Sequence, residues 1–197
     1  MKIGLRRYAM LATGLAVGGA LMALAACGSA ASTVSAAAPA AGGTLVHQSI
    51  RIVTGKMLHK AGWPQYQPAF WTVPAAGDTV LVTITSYDDG TAPLAARSPY
   101  AQVAGTVNGT ETVNGKVMRS IPAAQVAHTF TMPALGVNLV IPAAPTGKTM
   151  TVQAVIHFSK AGTYYWHCFA PCGTGTDGLG GPMAAPGWME GTVTVQG

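Results

Sequence analysis

From Thr44 onward, apolar and polar positions alternate with the period of two expected of half-buried strands. After the turn signal Gly77-Asp78, the residues Val80, Val82 and Ile84 fall on one face, with Leu81, Thr83 and Thr85 on the other. Runs at 45–53, 67–73, 126–132, 152–158, 162–168 and 192–195 share this β-branched and aromatic character, and Gly, Pro, Asn or Asp bound them. No stretch in this part keeps a helical period for three turns. Seven or more short strands separated by turn signals predict an all-β protein, a two-sheet sandwich or a small barrel. Residues 44–197, about 150 of them, suffice for a proper two-sheet core.

The first 43 residues follow a different pattern. Lys2, Arg6 and Arg7 precede an uncharged apolar run from Tyr8 to Ala26, which is the layout of an export signal. The run ends in Leu24-Ala25-Ala26-Cys27. This resembles the bacterial lipoprotein box, where small residues precede a cysteine that is lipidated and becomes the new N-terminus. A plain signal peptide, or a single span of about 19 residues, would share the apolar run; Cys27 at its end favours the lipoprotein reading. Residues 1–26 are thus expected to be a lipoprotein signal peptide. Residues 27–43, small and uncharged after Cys27, are expected to form a lipid anchor and flexible tether.

That division changes what the charge means. The 197-residue chain has eleven Lys and Arg against six Asp and Glu, a balance of +5. Three of those cations belong to the signal, so the remainder holds eight against six, or +2. The eight are scattered, which argues against nucleic acid as a partner. Charged residues make up 9% of the chain, against roughly 25% in ordinary soluble domains. Such a composition excludes an acidic disordered chain, and 25 Gly with 13 Pro exclude a long helical rod.

Six acidic residues leave few candidates for general acid–base work. No glycine-rich phosphate loop or Ser/His/Asp signature is apparent, which disfavours hydrolase and transferase chemistry. Asp88-Asp89-Gly90 reads as a turn with too few carboxylates for calcium. The strong transition-metal ligands are five histidines with Cys168 and Cys172. A strand delivers Cys168 to its end, a Gly- and Pro-rich loop carries Cys172 and Met183, and Met189 opens the last strand. His128 sits on a strand of its own. A thiolate, an imidazole and a thioether are soft-to-borderline donors suited to copper.

These segments resemble a cupredoxin, of the kind related to the periplasmic copper domain of cytochrome c oxidase subunit II. The likeness rests on His128-Thr129-Phe130 leading to Pro133-Ala134-Leu135-Gly136-Val137, then Ala161-Gly162-Thr163-Tyr164, Cys168 and Cys172-Gly173, and Met189-Glu190-Gly191-Thr192-Val193. It implies a Greek-key β-sandwich and single-electron transfer through copper. By the same resemblance His128, Cys168, Cys172 and Met189 would be the ligands, with Met183 as a further sulfur in the loop. The protein would then be an electron carrier or an oxidase-associated subunit, not a free-standing enzyme. Its partners would be a redox protein or a terminal oxidase, and the membrane through the lipid anchor. Its place would be the outer face of the cytoplasmic membrane.

The chain departs from that pattern at its second imidazole. Thr176 or Pro186 stands where it would fall, and no histidine lies between Cys172 and Met189. Strand parity turns His167 away from the face of Cys168, and His157 shares its face with Gln153 and Val155. His47 and His59 read as surface residues. The remaining donors suffice for one copper ion, best suited to Cu(I). Two other readings stay open: copper capture or delivery to an oxidase, and a metal-free binding module with a Cys168–Cys172 disulfide, which the exported compartment permits.

Overall fold

A computed structural model describes residues 43–197. The expected signal peptide, Cys27 and the tether up to residue 42 lie outside the described residues. Eleven strands run in the order β1 Leu45–Val53, β2 Gln65–Gln67, β3 Phe70–Val73, β4 Thr79–Ser86, β5 Glu111–Val113, β6 Lys116–Met118, β7 Val126–Met132, β8 Val137–Pro142, β9 Met150–His157, β10 Gly162–His167 and β11 Glu190–Val195. The helical elements among the described residues are short 3₁₀ turns. None is long and apolar enough to cross a membrane.

The strands form two sheets, ordered β2-β1-β4-β9-β5-β6 and β3-β11-β10-β7-β8. Most pairs are antiparallel, but β1 lies parallel to β4 and β3 parallel to β11. The chain therefore crosses between sheets several times rather than meandering. This is the all-β, two-sheet sandwich expected from the sequence. Ile50, Ile52, Val80, Val82, Ile84, Val152 and Ile156 of the first sheet join Phe130, Leu139, Trp166 and Val193 of the second in one buried core. The alternation of β9, buried at every second residue from Met150, shows the physical origin of that arrangement.

Three details differ from the sequence reading. The run 67–73 is two strands in different sheets, β2 ending at Gln67 and β3 starting at Phe70. Pro68 has no N–H to continue a ladder, and Ala69 instead turns its carbonyl to the indole N–H of Trp166 at 2.9 Å. The run 137–142 is a strand, β8, with all six residues buried. Its outer edge is covered by the segment around Gln102–Ala104, which exchanges two backbone hydrogen bonds with Asn138 through Ala104. Finally, β5 and β6 form a hairpin around Asn114-Gly115, both in the left-handed region that such a tight turn needs.

Candidate metal centre

The site is built where β7 and β10 lie side by side. A β-bulge between Val126 and His128 shifts the register of β7 against β8. Beyond it, His128 and Phe130 share the inward face, and both rings lie against Tyr66, with centroids 6.2 and 6.1 Å away. Trp166 completes this wall, 4.8 Å from Tyr66 and 4.9 Å from Phe130. The imidazole of His128 is fully buried.

Its two nitrogens have different surroundings. Nε2 lies 3.0 Å from Oδ2 of Asp88, while Nδ1 is buried without a hydrogen-bond partner. Asp88 is itself fixed, because its Oδ1 accepts the Gly90 N–H at 2.9 Å and its carbonyl accepts the Ala144 N–H at 2.8 Å. Burial would raise the Asp88 carboxyl, but the hydrogen bond from His128, its charge and the Gly90 N–H together hold it below its ordinary value. Burial likewise works against a charged His128; Asp88 and Cys168 outweigh it and raise His128 to about 9.

Two sulfurs face this ring. The donor atoms of His128, Cys168 and Cys172 all lie within 4.8 Å of one another. Cys168 follows directly on β10, and its N–H donates to the carbonyl of Met189 at 2.9 Å. Its Sγ accepts the Thr129 N–H at 3.3 Å and lies 3.4 Å from Sγ of Cys172. Both thiols are free. Burial opposes ionisation of Cys168, yet the Cys172 thiol, His128 and the Thr129 N–H hold it well below its usual range. Cys172 moves the other way, raised by its hydrogen bond to Cys168 and then by burial. The metal-free pocket thus favours a proton on His128 and eases its loss from Cys168 before Cys172.

The structure brings together His128, Cys168, Cys172 and Met183, whose Sδ accepts from Cys172 Sγ at 3.3 Å. Met189 is buried beside them, its N–H bonded to Pro182 and its carbonyl to Cys168. Parity holds for His167: its ring points outward, where Nδ1 meets Oε2 of Glu190 at 3.0 Å. His157 contacts Thr79, and His47 and His59 are exposed. Thr176 and Pro186, at the two positions where a second imidazole would fall, are both exposed.

Two functional neighbours escape the sequence reading. Asp88 reads there as a turn residue, and nothing local signals that it faces a histidine forty positions later. Tyr66 is buried in β2, and its hydroxyl donates to the Thr129 carbonyl at 3.0 Å. Burial, followed by electrostatic interaction with Cys168, Cys172 and Glu111, raises the phenol well above its usual value. It remains a neutral hydrogen-bond donor beside the sulfurs.

The residues suit a bound ion. An orphaned, buried imidazole nitrogen needs a partner, and thiolate, thiol and thioether are the soft donors that suit transition metals of the copper type.

No family model matches the chain, and no curated protein does. Among solved structures, the chain is similar to a histidine-to-methionine variant of rusticyanin at 17% identity, covering 80% of this chain and 85% of that one with a TM-score of 0.42. Rusticyanin from Thiobacillus ferrooxidans is similar at 18% identity over 78% of this chain and 79% of that one, with a TM-score of 0.37. Auracyanin B is similar at 14% over 78% and 89%, with a TM-score of 0.31. At such identities and scores these likenesses carry no weight for the site, which stands on its own atoms.

Proposed function

We propose that this chain is a copper-binding electron-transfer protein of the cell envelope, cupredoxin-like and related to the copper domain of cytochrome c oxidase subunit II. One observation carries the reading: buried His128 has an Nδ1 without a partner, and its ring lies with a donor atom within 4.8 Å of the sulfurs of Cys168 and Cys172. His128, Cys168 and Cys172 would hold the ion. Copper supplies single-electron chemistry by moving between its monovalent and divalent states. Asp88 fixes the ring of His128 through Nε2, which leaves Nδ1 for the ion and makes binding a competition with the proton that His128 carries. The Thr129 N–H steadies the charge on Cys168. Tyr66, Phe130 and Trp166 keep water from the inner side of the pocket.

In this reading residues 1–26 are removed on export, Cys27 carries the lipid and residues 27–43 tether the copper domain, 44–197, to the outer face of the cytoplasmic membrane. The partner is a redox protein or a terminal oxidase, and the chain is a carrier or accessory subunit, not a free-standing catalyst. The sulfur-rich donor set also favours a second reading, capture of copper and its delivery to an oxidase.

The test is to reduce the purified full chain, add Cu(II) and Cu(I) separately, and record stoichiometry, visible absorption and paramagnetic resonance. An intense thiolate-to-copper band that disappears in Cys168→Ala supports electron transfer. Tight Cu(I) binding without that band supports delivery. A reduced chain that binds neither ion sinks both copper readings. For the envelope, lipid labelling and membrane fractionation should both be lost in Cys27→Ser.

A further inference from the structure

We infer that Met183, rather than Met189, supplies the thioether of this centre, so that the pocket is built for a soft monovalent ion, Cu(I). The inference rests on the copper reading above and specifies the donor set and the ion's oxidation state. The sulfurs form a continuous series: Cys168 Sγ to Cys172 Sγ at 3.4 Å, then Cys172 Sγ to Met183 Sδ at 3.3 Å. Among the described residues, Met183 is the methionine whose sulfur is hydrogen-bonded to a site cysteine. Met189 meets the site through its main chain, by the bonds to Cys168 and Pro182.

The loop between Cys172 and Met183 is closed on itself so that these two sulfurs meet. The Gly173 N–H donates to Gly178 at 2.6 Å, and Thr174 and Gly180 exchange a pair of backbone bonds at 3.0 and 2.8 Å. A short 3₁₀ turn, Gly181–Ala184, then carries Met183 back over Cys172. No side chain fits in that closure. A Cβ on Gly173 would stand 2.2 Å from the Gly180 carbonyl oxygen and 2.6 Å from Cγ of Met183 itself. Gly181 adopts φ +61°, and a Cβ there would stand 2.5 Å from Oγ1 of Thr174. The same hypothetical Cβ on Gly181 would also stand 3.3 Å from Cε2 of Trp63, which closes the loop from its outer side.

The resulting donors are one imidazole, two cysteine sulfurs and one thioether. Soft sulfur donors select Cu(I), whereas zinc takes thiolate, imidazole and carboxylate. Loss of the thioether should therefore weaken Cu(I) and leave Zn(II) alone.

The experiment titrates the reduced full chain with Cu(I) in competition with a chromophoric chelator, and separately with Zn(II), for the parent, Met183→Leu and Met189→Leu. Leucine nearly conserves volume, and a circular dichroism melt shows whether each variant keeps the fold. Cu(I) affinity should fall at least about tenfold in Met183→Leu, the lower end of what even an outer-shell partner contributes. Zn(II) affinity should hold in that variant, and Met189→Leu should bind Cu(I) as the parent does. X-ray absorption of the Cu(I)-loaded parent supplies a reading independent of any variant and should count three sulfurs. Two sulfurs, an unchanged Met183→Leu, or a larger loss in Met189→Leu would overturn the inference while leaving the copper reading intact. A parent that binds no copper overturns both.

Discussion

Nε2 of His128 lies 3.0 Å from Oδ2 of Asp88, and that contact decides which face of the ring is left for chemistry. With Nε2 committed to the carboxylate, Nδ1 is the nitrogen left for a ligand, buried and unpartnered. Asp88 is thus a positioning residue. Replacing it by alanine frees the ring to rotate and removes the charge that makes it a stronger base. Copper affinity in Asp88→Ala should fall by about 10- to 100-fold. Asp88→Asn keeps an acceptor for Nε2 without the charge, so it should recover part of the loss. Competition titration of the three proteins checks both expectations, and equal affinities would remove Asp88 from the site.

Glu111 sets a second expectation, on stability. Its side chain is buried between the sheets, where one oxygen accepts the Val140 N–H at 3.0 Å and the other has no partner. Burial raises its carboxyl from 4.5 to about 8, and the Val140 bond offsets only part of that. A raised carboxyl stabilises the fold fully below its unfolded value, and this contribution is lost as pH climbs through about 8. At about 1.4 kcal/mol for each tenfold change in proton affinity, the loss is of order 5 kcal/mol. Denaturant titrations should show the metal-free protein weakening from pH 5 to pH 9. Glu111→Gln should flatten that slope and be the more stable protein at pH 9. A slope that persists in the variant would assign it to other groups.

How much of this was legible in the sequence depends on whether a signal is local. β1 and β7 stand at the runs 45–53 and 126–132 because β-branched composition and bounding turn residues are properties of the segment itself. The outward turn of His167 follows from parity alone. β8 is different: buried on both sides, it loses the alternation that marks a half-exposed strand, and Pro133 with Gly136 mask its start. The break at Pro68 was visible as a residue type, but the change of sheet depends on Trp166 and β11, far along the chain. At the site, the sulfurs and His128 announce themselves by chemistry. Asp88 and Tyr66 do not, since an aspartate in a turn and a tyrosine in a three-residue strand acquire their roles only from what packs against them.

Tyr66 offers a test of that packing. Its hydroxyl satisfies the buried carbonyl of Thr129, the residue whose N–H serves Cys168. Tyr66→Phe keeps the ring against His128, Phe130 and Trp166 and deletes the donor. The carbonyl is then left buried and unsatisfied, at a cost of about 1–3 kcal/mol. Because the same peptide segment supports the Cys168 sulfur, the thiolate-to-copper absorption should also shift in position. Denaturation and visible spectra of the loaded variant measure the two effects. Unchanged stability would show that solvent or another group reaches the Thr129 carbonyl.

The last expectation separates the two histidines nearest the cysteines. His167 is one residue from Cys168 in sequence, whereas His128 is forty away. Proximity along the chain would favour His167, and strand geometry favours His128. Trp166 in β10 and Cys168 directly after it point inward, so His167 between them points outward to Glu190, with its side chain 40% exposed. A partly exposed pair of this kind contributes about 0–1 kcal/mol. His167→Ala should therefore lose little stability and bind copper with the parent's affinity and spectrum. His128→Ala removes the buried nitrogen and should abolish the thiolate-to-copper band or weaken binding by at least about tenfold. The contrast is read by titrating both variants side by side. Were His167→Ala the one to lose copper, β10 would have to end with its parity reversed, and the site would need rebuilding around the outer face.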